Sequence, residues 1–421
     1  MNDLSEKIRQ LIQTTEADLR EEFEKAEYVE EIRTRQILDL FRKHEVSYRH
    51  FAPSTGYGYD DIGRDTLEKI YAEIFHTESA LMRPHIASGT AALSLTLFGL
   101  TKPGQRILSA TGMPYDTLRG ILGTDEGEAA PGSLREYGVE FDCVDLTPDG
   151  SVDLQAVRRA ITPRTGLVIA QRSCGYANRP SLMPWDFREL AGMLHRDYPG
   201  LLVMVDNCYG EFVQETEPTD FGADVCVGSL IKNPGGGIAP TGGYIAGSRS
   251  AVDRVAWRLT APGLGREIGS YAADYRPWYQ GLFMAPHTVC QAKKTAMLAA
   301  GLFEKLGIPS FPKPGTPRAD IIQMIQMGSP ERLVAFCQGI QMASPIDSMA
   351  LPEPWDMPGY ADQVVMAAGT FVAGASIELS CDGPLRAPYT AFMQGALTYT
   401  HGRIAMGEAL RRMAEAGTIS L

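Results

Sequence analysis

Between residues 81 and 247, short apolar runs alternate with helical stretches, and this rhythm restricts the fold of the 421-residue chain more than any other feature. The runs at 106–110, 139–146, 166–171, 201–206, 224–228 and 243–246 have the length and the aliphatic content of buried strands. Segments 90–99, 153–160 and 184–195 fit helices between them, the last closed by Pro199-Gly200. Such alternation predicts a mostly parallel central sheet covered by helices on both faces, a three-layer α/β domain. In sheets of this kind, binding groups sit on loops beyond the carboxyl ends of the strands. Asp206 and Ser229 both fall at such ends.

Four segments bring chemistry to these ends. Ile86-Ala87-Ser88-Gly89-Thr90 puts Ser88, Gly89 and Thr90 at a helix start, where backbone N–H groups and the helix dipole attract an anion. A plain N-cap would use the same residues. Asp206 closes an apolar strand, so its carboxylate either finds a cationic partner or begins a turn through Asn207. Gly228-Ser229-Leu230-Ile231-Lys232 ends the next strand and leads into Asn233-Pro234-Gly235-Gly236-Gly237. A lysine partly desolvated beside a cation has a lowered pKa and is nucleophilic at neutral pH, whereas a lysine in a glycine loop is usually a surface group. The glycines follow the lysine and no GK[ST] is formed, which excludes a P-loop. Tyr115, after the strand at 106–110, can stack on a flat heteroaromatic ring or simply pack.

Each segment alone has a plain explanation. In the chain order Ser-Gly-Thr, Tyr, Asp, Lys they fit one cofactor, pyridoxal 5′-phosphate. A lysine amine forms its Schiff base, an aspartate keeps its pyridine nitrogen protonated, and hydroxyls with a helix start hold its phosphate.

Composition narrows the setting. The formal net charge of −12, with no lysine or arginine run, argues against a nucleic-acid groove or an anionic membrane surface. Seven cysteines are scattered without a CxxC pair, and the seven histidines lack ligand spacing, so no metal site is expected and the thiols read as reduced and structural. A cytoplasmic protein is expected, since the first residues lack a basic start and apolar block. The uncharged stretch at 364–377, broken by two glycines, is shorter than the roughly 20 residues that span a bilayer.

Residues 1–55 read as an N-terminal helical arm, with Ile8, Leu11 and Ile12, then Ile37, Leu38 and Phe41, at helical spacing. Residues 56–285 form the large cofactor-binding domain, entered through the glycine-rich loop Ser54-Thr55-Gly56-Tyr57-Gly58-Tyr59 and a helix at 64–75. Residues 286–421 form a smaller α+β domain. Helices are expected there at 287–305, 319–327 and 331–341, strands at 364–367 and 376–380, and a terminal helix from Tyr389.

The stretches 56–64, 206–213 and 228–247 resemble the fold-type-I pyridoxal phosphate enzymes. Within them they are most similar to the methionine γ-lyase-related branch that includes aluminium-resistance and cystathionine β-lyase-like proteins, over about residues 30–415. The resemblance implies a carbon–sulfur lyase acting on a methionine-, cystathionine- or cysteine-like amino acid. Such an enzyme abstracts the α-proton and eliminates a β- or γ-substituent, giving a 2-oxo acid, ammonia and a thiol. It further implies that Lys232 carries the cofactor and moves the α-proton, Asp206 pairs with the ring nitrogen, and Tyr115 stacks on the ring and serves as an acid toward the leaving group. Ser88, Gly89, Thr90 and Ser229 would hold the phosphate. Tyr59 would reach a neighbouring subunit's phosphate, in a homodimer or homotetramer with shared sites.

Two departures stand out. The related enzymes have Tyr-x-Arg-x-Gly where this chain has Tyr59-Asp60-Asp61-Ile62-Gly63, leaving Arg64 as the nearest compensating cation. They carry a carboxylate-binding Arg-Leu-Ser where this chain has Glu378-Leu379-Ser380. Arg386 and Arg172 are then the candidate clamps for the substrate carboxylate. Another fold-type-I reaction (aminotransfer or aldol cleavage), a non-sulfur leaving group, and an idle scaffold are the rival readings.

Overall fold

The computed structural model describes residues 3–124, 129–357 and 362–421. Helices α1 (Asp3–Asp18) and α2 (Arg20–Lys43) carry charge on one face and an apolar stripe on the other. Their stripes are buried in different places. Ile8 and Ile12 of α1 enter the core of the small domain, whereas Ile37 and Leu40 of α2 enter the core of the large one. The arm therefore ties the two domains together.

Chain order continues through α3 (Ile62–Ile74), β1 (Ser79–Arg83), α4 (Gly89–Leu100), β2 (Arg106–Ser109), α5 (Asp116–Leu122), β3 (Glu140–Cys143), α6 (Leu154–Ala160) and β4 (Thr165–Gln171). Then follow α7 (Arg188–Asp197), β5 (Leu202–Asp206), β6 (Val225–Ser229), β7 (Gly243–Gly247) and α8 (Arg249–Leu259). The seven strands form one sheet in the order β1-β7-β6-β5-β4-β2-β3. Strands β2 to β6 run parallel, as the alternation predicted, while at one edge β7 pairs antiparallel with β6 and β1 pairs antiparallel with β7. Side-chain alternation assigns the two faces: Val203 and Val205 point into one core, and Met204 into the other.

The long helix α9 (Arg276–Lys305) leads to the small domain. It starts earlier than the expected 287 and continues through the buried Pro286. Beyond it lie β8 (Ser310–Phe311), β9 (Gln323–Gln326), α10 (Pro330–Met342), β10 (Val364–Ala367), β11 (Ser380–Pro384), β12 (Thr390–Gln394) and α11 (Tyr399–Glu415). The five strands make an antiparallel sheet ordered β10-β11-β12-β9-β8. Two expectations fail here. The helix foreseen at 319–327 contains strand β9, and the terminal helix foreseen from Tyr389 begins only at Tyr399, after β12. In both segments cross-strand pairing of β9 with β12 outweighs apolar spacing that suits a helix equally well. The strand foreseen at 376–380 is shifted to Ser380–Pro384. Among the described residues, no helix is long and apolar enough to cross a membrane.

Candidate active site

Strands β5 and β6 are parallel neighbours, so Asp206 and Ser229 come out side by side at their carboxyl ends. Three residues on, Lys232 begins a loop that folds back against the segment after β5. Asn233 Nδ2 donates to the carbonyls of Tyr209 and Glu211, both at 2.9 Å, and so locks one loop to the other. Gly236 takes a left-handed φ of 56°, and a Cβ there would lie 2.4 Å from the Gly281 carbonyl in α9. Only glycine permits that approach.

Lys232 and Asp206 line one small cavity of about 90 Å³ together with Tyr115, Gln171, Cys208 and Tyr209. The Lys232 Nζ sits 3.9 Å above the centre of the Tyr209 ring. Tyr209 itself has a left-handed φ of 73°, and its hydroxyl accepts from Ser376 Oγ at 3.0 Å, a contact from the small domain. Asp206 accepts from the Cys208 N–H at 3.1 Å. Burial pushes the Asp206 carboxyl up, and Lys232 opposes the shift. Burial likewise works against charge on Lys232, but the acidic groups Cys208, Tyr209 and Asp206 outweigh it and hold the amine above its ordinary range. The lowered pKa expected from the sequence is thus reversed, because the amine's neighbours are acids and not a cation.

The Ser-Gly-Thr segment meets this cavity from the side. Ser88 caps α4 by accepting from the Ala91 N–H at 3.0 Å. A Cβ at Gly89 would lie 2.9 Å from Ser229 Cβ and 3.5 Å from Cys208 Sγ, so the helix start is pressed against Ser229 and the cavity wall. Thr90 Oγ1 lies 3.5 Å from Thr117 Oγ1. Ser88 is therefore the N-cap of α4, and its hydroxyl and that of Thr90 stand at the helix start beside Ser229. The Tyr115 N–H donates to Gln171 Oε1 at 2.8 Å, and its ring stands edge-on to Tyr176 at 6.2 Å. Tyr115, Gln171, Gly175 and Tyr176 also line a larger adjoining cavity of about 520 Å³.

The remaining expected residues lie elsewhere. Arg172 is fully buried, donating to Asn207 Oδ1 at 2.7 Å and Leu182 O at 3.2 Å, with Glu217 at 3.5 Å. It turns into the core behind the site, which does not suit a substrate clamp. Arg386 lies at the larger cavity, half-exposed and paired with Asp362 at 2.9 Å. Tyr59 is exposed and stacked on Tyr57 at 5.6 Å, outside its own chain's lysine cavity. Arg64 does not replace the missing loop arginine: it is buried and donates inward to the Gly58 and Gly269 carbonyls and to Asp65. Asp61 caps α3 and accepts from the Tyr275 hydroxyl at 2.8 Å. Glu378, in the position of the related enzymes' arginine, accepts from the Phe371 and Val372 N–H groups at 2.9 Å, so both oxygens serve a loop.

Sequence reasoning missed Tyr209, Tyr176 and Asp382. Asp382 sits on β11, lines the lysine cavity and accepts from the Tyr176 hydroxyl at 2.7 Å. Behind the site, Glu217 accepts from Arg33 at 2.6 Å and from Asn207 at 3.1 Å within the core. Glu211 accepts from the Tyr244 hydroxyl at 2.8 Å, and burial pushes its carboxyl up to about 8.

The residues present fit pyridoxal phosphate. A partly buried amine and a partly buried carboxylate line one cavity, the carboxylate accepting from the Cys208 N–H, and a glycine-tight helix start with Ser88 and Thr90 stands alongside against Ser229. The seven-stranded sheet with its covering helices and the small antiparallel domain give the chain the α/β architecture of the fold-type-I pyridoxal phosphate enzymes. The chain belongs to the methionine gamma-lyase family, whose model matches residues 8–414. It is 49% identical to the uncharacterized protein YnbB of Bacillus subtilis over 405 residues, 96% of each chain. It superposes with a TM-score of 0.93 on a carbon-sulfur lyase involved in aluminum resistance from Clostridium novyi, at 44% identity and covering 97% of this chain and 96% of that one. L-methionine gamma-lyase of Pseudomonas putida is 30% identical over 203 residues, 48% of this chain and 45% of its own length.

Proposed function

We propose that this protein is a pyridoxal phosphate-dependent carbon–sulfur lyase that eliminates a thiol from a sulfur-containing amino acid. The observation that carries the reading is the shared cavity of Lys232 and Asp206 at the ends of adjacent strands, beside the Ser88-Gly89-Thr90 helix start. Family membership favours the same class of chemistry.

The cofactor, when bound, supplies a sink for the electron pair left behind when the substrate loses its Cα proton. Ser88, Thr90, Ser229 and the backbone of Gly89 would hold its phosphate, Asp206 would keep a proton on its ring nitrogen, and Tyr115 would cover a ring face. Lys232 Nζ would carry it and take the Cα proton. Tyr209 steers that amine: its ring lies below Nζ, and its hydroxyl is tethered to Ser376. The substrate carboxylate would exchange with Asp362 for the Arg386 guanidinium at the rim of the larger cavity. Tyr59, exposed and stacked on Tyr57, would enter the site of a second copy in a homodimer or homotetramer, in the cytoplasm.

Incubation with pyridoxal phosphate should turn the protein yellow, and borohydride should then fix the label on Lys232, as mapped by peptide mass spectrometry. Lys232→Ala should abolish release of pyruvate or 2-oxobutyrate from a panel of cysteine thioethers, cystathionine and methionine while leaving the fold intact. A label elsewhere, or full turnover by Lys232→Ala, would overturn the assignment.

A further inference from the structure

We propose that Tyr176 and Asp382 form a proton relay that protonates the departing thiolate, with Tyr176 as the catalytic residue and Asp382 as the group that positions and recharges it. The inference rests on the lyase reading above. Both residues line the cavity that holds Lys232, and Tyr176 also lines the larger adjoining cavity. The Tyr176 hydroxyl lies 2.7 Å from Asp382 Oδ2. Its ring is edge-on to Tyr115 at 6.2 Å and tilted on Phe392 at 5.1 Å, so the phenol is held from two sides.

Asp382 is built as a proton reservoir and not as half of an ion pair. Among the described residues, its Oδ1 is sealed from solvent with no hydrogen-bond partner, and no cation pairs with the carboxylate. A buried carboxylate with one donor ionises reluctantly. Burial pushes Asp382 up to about 6, against the Tyr176 hydrogen bond. The titratable groups facing the pair across the cavity are Tyr115, Asp206, Cys208, Tyr209 and Lys232.

The step balances without any redox partner. In a β-elimination the Cα proton goes to Lys232 Nζ, the Cα–H electron pair becomes the new carbon–carbon double bond, and the carbon–sulfur pair goes to sulfur. The Tyr176 proton moves to that sulfur, and the Asp382 carboxyl proton moves to the phenol oxygen. The products are a neutral thiol and an Asp382 carboxylate that accepts from the restored hydroxyl.

The test compares Tyr176→Phe and Asp382→Asn with the wild-type holoenzyme on S-alkyl cysteine, a poor leaving group, and S-(nitrophenyl)cysteine, a good one. General acid catalysis contributes about 10²–10⁴-fold. Both variants should lose at least ~100-fold in kcat/KM on the alkyl substrate and less than ~5-fold on the nitrophenyl substrate. Exchange of the substrate Cα proton in D₂O, followed by NMR, should persist in both. In the cofactor-free protein, the infrared carboxylic-acid band that titrates at about pH 6 should be missing in Asp382→Asn, while the band of Glu211, which titrates at about 8, persists. Equal losses on the two substrates, unchanged alkyl turnover, or a leaving-group-selective loss seen in Tyr115→Phe alone would each overturn the relay. Absence of Cα exchange in the wild type would instead overturn the lyase reading and the relay with it.

Discussion

Gly89→Ala separates a cofactor cradle from a mere helix start. The added Cβ would lie 2.9 Å from Ser229 Cβ, against an ordinary carbon–carbon contact of about 3.5–4.0 Å. The start of α4 must therefore retreat by more than half an ångström (roughly, from those contact distances). Overpacking of this kind costs about 1–3 kcal/mol, and removing a helical glycine returns about 0.5–1 kcal/mol, so the fold should lose no more than about 2.5 kcal/mol. The cradle should suffer more. A hydrogen bond to a charged group contributes about 1.5–3 kcal/mol, so losing one phosphate contact weakens Kd by about 10- to 150-fold. Absorbance titration with pyridoxal phosphate gives the Kd, and urea unfolding gives the stability. Gly192→Ala in α7 is the control: a Cβ there meets nothing within 4 Å, so it should leave Kd unchanged and stabilise slightly. Wild-type affinity in Gly89→Ala, alongside a lowered unfolding midpoint, would refute the cradle.

Two further predictions concern the core behind the site. Glu217→Gln strips the anion from the buried Arg33, at 2.6 Å, and from the nearby Arg172, at 3.5 Å, and should cost about 3–5 kcal/mol in urea unfolding; a loss below about 1 kcal/mol would mean the charges are balanced elsewhere. Glu211 is raised to about 8 by burial, so between its ordinary value near 4.5 and 8 the folded state holds a proton that the unfolded state releases. Stability from this group is full below about 4.5 and is lost as pH rises toward 8. Unfolding free energies at pH 5 and pH 8 should therefore differ less in Glu211→Gln than in the wild type, and an undiminished difference would count against a protonated Glu211.

The legible part of the molecule was the part where period and polarity agree. Strands β2 to β6 announced themselves as apolar runs, and Asp206, Ser229 and Lys232 followed because their elements end where the side chains do. β1 escaped notice because its partner, β7, lies far along the chain, and a five-residue edge strand carries little periodic information. In the small domain, Ile321, Ile322, Met324 and Ile325 have spacing that fits a helix as well as a strand, and only pairing between β9 and β12 decides. Arg172 looked like a cleft residue because it directly follows β4, but side chains alternate there: Gln171 lines the cleft and Arg172 enters the core. Asp382 sits in Cys381-Asp382-Gly383-Pro384, which reads as a turn. Its role depends on Tyr176, 206 residues away, and no local pattern records such a meeting.

Helix α9 has a consequence for how this architecture can be varied. At one end Gly281 presses on the backbone of Gly235, in the lysine's own loop, and at the other Ala296, Leu298 and Leu302 belong to the small domain's core. A single unbroken rod of 30 residues thus fixes the angular phase between the two modules. Inserting or deleting one residue midway would turn everything downstream by about 100°, carrying Ser376 and Asp382 away from the amine. Chimaeras between relatives spliced within this rod must preserve its residue count, whereas splices in the Pro-rich segment after Lys305 leave that phase untouched.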